Sequence, residues 1–481
     1  MNFGMIIYLL GRIMEIVGLM MGFPFAVAIY YRETVGIWFL ICGLPITLAG
    51  VLISRFYHPK KQEFYAREGF IVTALSWILL SVMGALPFFL SREIPSYTDA
   101  LFECISGFTT TGASIVPEVE KLSHCINFWR CFIQLIGGMG VLVFMLALIP
   151  STGGQDIYLM RAESPGPSVG KLAPKVRQTA YYLYAIYFAL TGAEAICLKL
   201  AGAPLFDSFC TAFTTTSTGG FGVRNASLAA YGPSVQYVVA TFLFFSGLNY
   251  NFFFLMYTKR FKEALEEEEI RFYTLIYVLS VAAITLTLIL RQHYNIEEAF
   301  RHGFFQVGSI MTTAGFSSAD FDSWPSFARE ILILLMLVGG CAGSTCGGIK
   351  VSRILIYFKT VKKELSQLCH PRSVKVIKFD GKALPHGVLR SANIFLITYA
   401  SIFVVSLLLV SLDDYDFTTN FTAVASALGN IGPGFSLVGP TQNFAFFSSP
   451  VKYVLMFDML AGRLELFPLL VMLNPNTWRK R

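Results

Sequence analysis

The sequence predicts an all-α integral membrane protein, with two N-terminal transmembrane helices and four helix–re-entrant loop–helix repeats around a pseudo-fourfold central pore. Three observations predict it. Of 481 residues, 55% are hydrophobic and only 14% charged, where a soluble domain carries about a quarter charged residues. Apolar runs of about 20 residues recur, enough to cross the hydrocarbon core. Four times, a run rich in Thr, Ser and Gly sits at the outer edge of an apolar region: Thr110-Thr111-Gly112, Thr218-Gly219-Gly220, Thr313-Ala314-Gly315 and Asn430-Ile431-Gly432. The apolar segments are continuous rather than alternating, which argues against a β-barrel.

The N-terminal stretch Met1 to Tyr31 lacks a strongly basic start and an obvious small-residue cleavage site, so it reads as a retained first span. Spans are expected at roughly 5–30 and 36–54, closing a first region 1–69. Repeat one (70–178) holds spans near 70–90 and 127–149 around a re-entrant segment 98–115. Repeat two (179–271) has 179–200, 205–222 and 234–257 in the same roles. Repeat three (272–388) has 272–290, 297–317 and 328–356, and repeat four (389–481) has 391–411, 417–436 and 450–473. The re-entrant segments are too short to span, and Phe102, Phe206, Phe305 and Phe421 give them an apolar face. Irregular backbone at that depth survives only where helices bury it or it lines a wet cavity.

Basic residues fix the orientation. One set of loops carries Arg55, Lys60, Lys61, Arg67, Arg161, Lys171, Lys175, Arg177, Lys259, Arg260, Lys262, Arg271, the stretch from Lys359 to Lys382, and Arg479 to Arg481. The opposite loops hold only Arg32, Arg92, Lys121, Arg224, Arg291 and Arg301. The richer side is cytoplasmic. Both termini then face the cytoplasm, and all four Thr/Gly runs face outward. The net charge of +7 thus reports topology and not nucleic-acid binding. The acidic run Glu266 to Glu269 reads as a solvated helix end.

Four similar loops can close a ring. Backbone carbonyls in a ring replace the hydration shell of a monovalent cation without a fixed negative charge, so that binding stays weak enough for release. Glycine permits the backbone angles this needs. In each run a hydroxyl residue stands six positions before the glycine: Ser106, Thr214, Ser309 and Ser426. The expected monovalent-cation filter is Thr110, Thr111, Gly112, Thr218, Gly219, Gly220, Thr313, Ala314, Gly315, Asn430, Ile431 and Gly432. Only the fourth run, continuing Pro433-Gly434, has a second glycine in register, which predicts fewer ordered ion sites and looser selectivity than in a potassium channel. Glu103, Asp207 and Glu298 read as caps near the starts of the re-entrant helices.

The second span of repeat three contains Gly339, Gly340, Gly343, Ser344, Thr345, Gly347, Gly348 and Lys350. Each helical glycine costs roughly 1 kcal/mol against alanine, and small residues spaced for helix packing would recur every four positions. This dense cluster predicts an intramembrane loop below the filter, with Lys350 anchoring it to an acid. Arg463 lies in the last span, where a charge is costly and functional by default. Either it pairs with Asp458 or Glu465, or it raises a barrier to cations at the pore.

The remaining chemistry is sparse. The nine cysteines have no metal spacing, although Cys104 and Cys125 bracket an outer loop. All six histidines fall in predicted loops, which argues against an enzyme. No nucleotide-binding pattern is present. A secondary transporter coupling cation entry to the flow of another ion, sodium or protons, remains the competing class.

Phe108-Thr109-Thr110-Thr111-Gly112-Ala113, Thr313-Ala314-Gly315-Phe316, and Gly340-Cys341-Ala342-Gly343-Ser344-Thr345 followed by Gly347-Gly348-Ile349-Lys350 resemble the TrkH/TrkG/KtrB superfamily of potassium uptake proteins. The two extra N-terminal helices are similar to the TrkH branch. The resemblance implies channel-like potassium uptake across the bacterial inner membrane. It implies a homodimer with one pore per subunit, gated by a cytosolic, nucleotide-binding, TrkA-like RCK partner. It makes Gly339 to Gly348 the gate and matches the family's basic residue to Arg463. Cys346 departs from the family pattern, which usually has glycine there, and implies a stiffer loop.

Overall fold

The computed structural model describes residues 2–57, 66–140, 176–372 and 375–479. Lys60, Lys61, Arg161, Lys171, Lys175, Lys480 and Arg481 of the basic loops, and the inner part of the expected span 127–149, lie outside the described residues.

Helices α1 (Phe3–Met20) and α2 (Gly22–Tyr31) lead through a short turn into α3 (Ile37–Phe56). Four glycines set the packing of α1 on α3. A Cβ on Gly18 would lie 2.7 Å from the Gly43 carbonyl, and one on Gly50 would lie 2.7 Å from the Gly11 carbonyl. Without side chains the two backbones approach closely, the arrangement that drives helix association in lipid.

The stretch expected as repeat one holds α4 (Ala66–Leu90), α5 (Tyr97–Phe108) and α6 (His124–Gly138). Next come α7 (Val176–Leu200), α8 (Leu205–Thr216), α9 (Pro233–Ser246) and α10 (Tyr250–Tyr257), where repeat two is expected. After the short α11 (Phe261–Glu266), the chain runs through α12 (Glu268–Gln292), α13 (Ile296–Met311), α14 (Ser326–Val338) and α15 (Val351–Cys369), where repeat three is expected. A two-stranded antiparallel hairpin, β1 (Lys378–Phe379) and β2 (Lys382–Ala383), follows. The stretch expected as repeat four holds α16 (His386–Val410), α17 (Phe417–Gly429), α18 (Ser449–Arg463) and α19 (Phe467–Leu473), and α5, α8, α13 and α17 are the short helices that lead into the Thr/Gly runs. The short α20 (Pro475–Trp478) follows.

Among the described residues, six helical segments are long and apolar enough to cross a membrane. The pair α9 and α10 would make a seventh but is bent by 93°. The expectation of unbroken spans at 234–257 and 450–473 is therefore corrected. In the first, Asn249 caps α10 by accepting from the Phe252 amide at 2.8 Å. In the second, Glu465 and Leu466 both adopt left-handed backbone, with φ of 51° and 68°. The span expected at 328–356 opens at the glycine cluster, and α6 ends at Gly138. The spans expected at 234–257, 328–356 and 450–473 are thus all interrupted. The hydropathy of these stretches hid the breaks, because apolar residues flank each one.

Candidate cation pathway

The four Thr/Gly runs are one backbone motif built four times. Each re-entrant helix stops, and two residues before each glycine a residue turns left-handed: Thr110 (φ 54°), Thr218 (54°), Thr313 (58°) and Asn430 (53°). The glycines follow at φ of 81°, 78°, 81° and 103°. The carbonyl six residues before each glycine closes the turn. Ser106 accepts from the Thr111 amide at 2.9 Å, Thr214 from Gly219 at 2.7 Å, Ser309 from Ala314 at 2.8 Å and Ser426 from Ile431 at 2.9 Å. These residues serve here through the main chain, as in other left-handed helix ends.

The runs meet in cyclic order. A Cβ on Gly112 would lie 2.2 Å from the Gly219 carbonyl, one on Gly220 would lie 1.8 Å from Ala314, and one on Gly315 would lie 1.9 Å from Ile431. A Cβ on Gly432 would lie 2.8 Å from the Thr111 carbonyl, which returns the sequence of contacts to its start. The Gly112 Cβ position is also 3.6 Å from Ala314, so the first run approaches the third as well as the second. Asn430 Nδ2 reinforces the last contact by donating to Thr111 Oγ1 at 3.0 Å. An outer cavity of about 140 Å³ touches all four glycines.

Two residues that sequence reasoning passed over hold the ring from behind. Gln134 donates to the Gly219 carbonyl at 2.7 Å and accepts from the Phe221 amide at 3.1 Å. Arg130 pairs with Glu103 at 2.7 Å in full burial, donates to the Gly222 carbonyl at 3.3 Å and stacks over Phe221 at 4.4 Å. Glu103 also accepts from Ser114 Oγ at 3.0 Å and from the Ile115 amide at 2.9 Å. It sits mid-helix and ties runs one and two together, so its reading as a cap is corrected. Asp207 is in the first turn of α8, as expected, and accepts from the Tyr231 hydroxyl at 2.7 Å.

The loop from Gly339 to Lys350 is closed at its neck: the Lys350 amide donates to the Val338 carbonyl at 3.0 Å, and Val351 donates to Gly340 at 3.0 Å. Gly339, Gly343, Gly348 and Lys350 all have positive φ. The loop touches the third run and the helix ends that lead into the second and fourth. The Gly347 amide donates to Thr313 Oγ1 at 2.7 Å, Thr345 Oγ1 donates to the Thr216 carbonyl at 3.2 Å, and a Cβ on Gly347 would lie 2.2 Å from the Gly429 carbonyl. Ser344 and Thr345 are buried, and Cys346 fills the space that a Cβ on Gly340 would need. Lys350 is buried too, and its ammonium bonds the Cys346 carbonyl within the loop rather than the expected acid.

Arg463 gathers three carbonyls. It donates to Thr345 at 2.7 Å, to Gly137 at 2.5 Å and to Gly138. Asp458 accepts from Ser406 Oγ at 2.7 Å, and Glu465 pairs with Arg353 at 2.6 Å. The expectation that all histidines fall in loops is corrected: His124 and His386 open α6 and α16, and His302 lies buried within α13 and bonds Ser318 Oγ at 2.9 Å. Cys104 and Cys125 are both free thiols.

The family model described as TrkH, cation transport protein, matches residues 39–480. The chain belongs to the TrkH family. It is 37% identical over 486 aligned residues to the Trk system potassium uptake proteins TrkH of Salmonella typhimurium and Escherichia coli, with both chains covered in full. It is 33% identical to the Escherichia coli potassium uptake protein TrkG, covering 95% of this chain and 94% of that one. Its fold matches the crystal structure of the potassium transporter TrkH from Vibrio parahaemolyticus with a TM-score of 0.89, at 34% identity and full coverage of both chains. The chain is accordingly a multi-pass membrane transport protein and not an enzyme.

Proposed function

We propose that this protein takes up potassium ions through a channel-like pathway whose selectivity filter is the ring of four Thr/Gly runs. The cyclic contact of Gly112, Gly220, Gly315 and Gly432 with the main-chain oxygens of the next run carries this reading. On this reading the Thr111, Gly219, Ala314 and Ile431 carbonyls face one axis, where a dehydrated monovalent cation finds several weak oxygen ligands together. The residues named as the filter are Thr110 to Gly112, Thr218 to Gly220, Thr313 to Gly315 and Asn430 to Gly432.

The loop Gly339 to Gly348, with Lys350 and Arg463, acts as the gate below that ring. Supporting this are its contacts with Thr216, Thr313 and Gly429, and the anchor from Arg463 to Thr345. The four repeats divide at 70–178, 179–271, 272–388 and 389–481. The protein works as a homodimer in the bacterial inner membrane, with both termini cytoplasmic. A cytosolic TrkA-like RCK partner that binds nucleotide controls it, and the basic segment around α15 and the hairpin is the surface offered to that partner. Lysines there neighbour the exposed side chains of Phe358, Val361, Leu365 and Leu368.

A second reading is a secondary transporter that couples potassium to sodium or proton flow. One observation favours it: Glu194 in α7 is fully buried, and among the described residues neither carboxyl oxygen meets a donor in good hydrogen-bond geometry. Intramembrane acids of this kind mark proton and ion routes. Recordings from the purified protein in planar bilayers separate the two. Discrete potassium openings support the channel-like pathway, whereas slow flux in strict ratio to sodium or protons would replace it. Restored growth at low potassium in cells lacking their own uptake systems tests the transported ion.

A further inference from the structure

The acidic run at the start of α12 is not a solvated helix end. Its last three carboxyl groups point to three different places. Glu267 accepts from Asn249 Nδ2 at 2.7 Å and Asn251 Nδ2 at 2.6 Å, at the break between α9 and α10. Glu268 meets the cytosolic segment: its side chain pairs with Lys359, and its amide donates to Asp380 Oδ1 at 2.8 Å in the β1–β2 hairpin. Glu269 turns inward and is only 6% exposed.

Glu269 reaches both limbs of the glycine-rich loop with one oxygen. Oε1 accepts from the Ala342 amide at 2.6 Å on the descending limb and from the Ser352 amide at 3.0 Å just after the loop returns. The loop has few other fixed points on that side. Cys341 donates to the Gly247 carbonyl at 2.9 Å, and the Gly343 carbonyl accepts from Tyr250 at 3.2 Å. Both of those partners belong to the break that Glu267 braces. One shared acceptor couples the two limbs directly, and the first turn of α12 is where a helix favours an acidic side chain. Glycine leaves the loop backbone without a preferred shape of its own, so its position must come from outside.

We propose that Glu269 is the positioning residue of the intramembrane loop: it staples Ala342 to Ser352 and holds the loop against the underside of the ring. This rests on the loop being the gate, and the test separates the two ideas. Loop position is read by the rate at which a small thiosulfonate modifies Cys346, followed by mass spectrometry of the Cys346 peptide. The exposed Cys369 and the half-buried Cys197 are first replaced by serine. Function is read by rubidium flux into proteoliposomes. Glu269→Ala is expected to speed Cys346 modification about tenfold, and Glu269→Gln, whose amide oxygen still accepts, to restore most of the native rate. Glu268→Ala removes a carboxylate from the same helix turn but no loop bond, and is expected to leave the Cys346 rate native. Should Glu269→Ala fail to give monodisperse protein, Glu269→Asp, which withdraws the carboxylate by one methylene, carries the same expectation. Unchanged Cys346 modification in the recovered variant overturns the staple, as does an equal increase in Glu268→Ala. Faster modification with native flux upholds the staple and overturns the gate.

Discussion

Arg463 donates to the carbonyl of Thr345 at 2.7 Å, joining residues 118 positions apart in the chain. The same guanidinium holds the carbonyls of Gly137 and Gly138, where α6 ends. One side chain of α18 thus fastens the end of α6 to the glycine-rich loop, and Thr345 in turn donates to the Thr216 carbonyl at the end of α8.

Removing that fastener should open the pathway. Hydrogen bonds to a charged group contribute roughly 1.5–3 kcal/mol, so Arg463→Ala should shift a closed loop toward open by about ten- to a hundredfold. Lysine, a point charge without the planar fork, should recover only part of the closure. Rubidium flux into proteoliposomes measures it, and native flux in well-folded Arg463→Ala would remove the fastening role.

The four ring glycines should not be equally sensitive. Serine at Gly220 or Gly315 would place Cβ within 1.9 Å of the next run's carbonyl, and at Gly112 within 2.2 Å, whereas Gly432 leaves 2.8 Å. All four also need positive φ, which costs a side chain roughly 1–2 kcal/mol. Potassium affinity and selectivity over sodium should fall in every variant, least in Gly432→Ser. Competition of sodium with rubidium uptake ranks them.

Breaking the Glu103–Arg130 pair should unfold the outer ring before it changes ion preference. Both side chains are at most 1% exposed, and removing one partner of such a pair typically costs about 3–5 kcal/mol. Glu103→Gln should lower the thermal midpoint of the solubilised protein by several degrees. Adding Arg130→Gln should cost less than the sum of the single changes, because the orphaned charge is then gone.

Acid should loosen the N-terminal helices through Glu33. Its carboxylate caps α6, accepting from the amides of His124 at 2.7 Å and Cys125 at 3.0 Å. Burial pushes the Glu33 carboxyl up, but the amides of Cys125 and His124 and the His124 ring outweigh it and hold the group below its ordinary value of 4.5. A carboxyl depressed on folding stabilises fully above its unfolded value and loses that contribution as pH falls through the folded one. The thermal midpoints of native protein and Glu33→Gln should therefore differ at neutral pH and converge in strong acid. A constant difference across the titration would exclude this link.

Sequence patterning was enough for the membrane class and for locating the four Thr/Gly runs, because hydropathy and glycine placement are local properties. The glycine cluster likewise announced an opened helix, since five glycines in ten residues disfavour a regular one. The breaks at Asn249 and Glu465 could not be read that way. They depend on a cap and on left-handed backbone inside apolar stretches. Gln134 and Arg130 looked like ordinary members of a span, and Glu269 like one more charge in a solvated run. Their roles arise from partners far along the chain: Gly219 lies 85 residues from Gln134, and Ala342 lies 73 from Glu269. By itself the chain determined which segments enter the membrane and where its backbone must be free to turn. Only the tertiary structure decided which buried polar groups meet, because a hydrogen bond at membrane depth is fixed by whichever neighbour packing delivers to it.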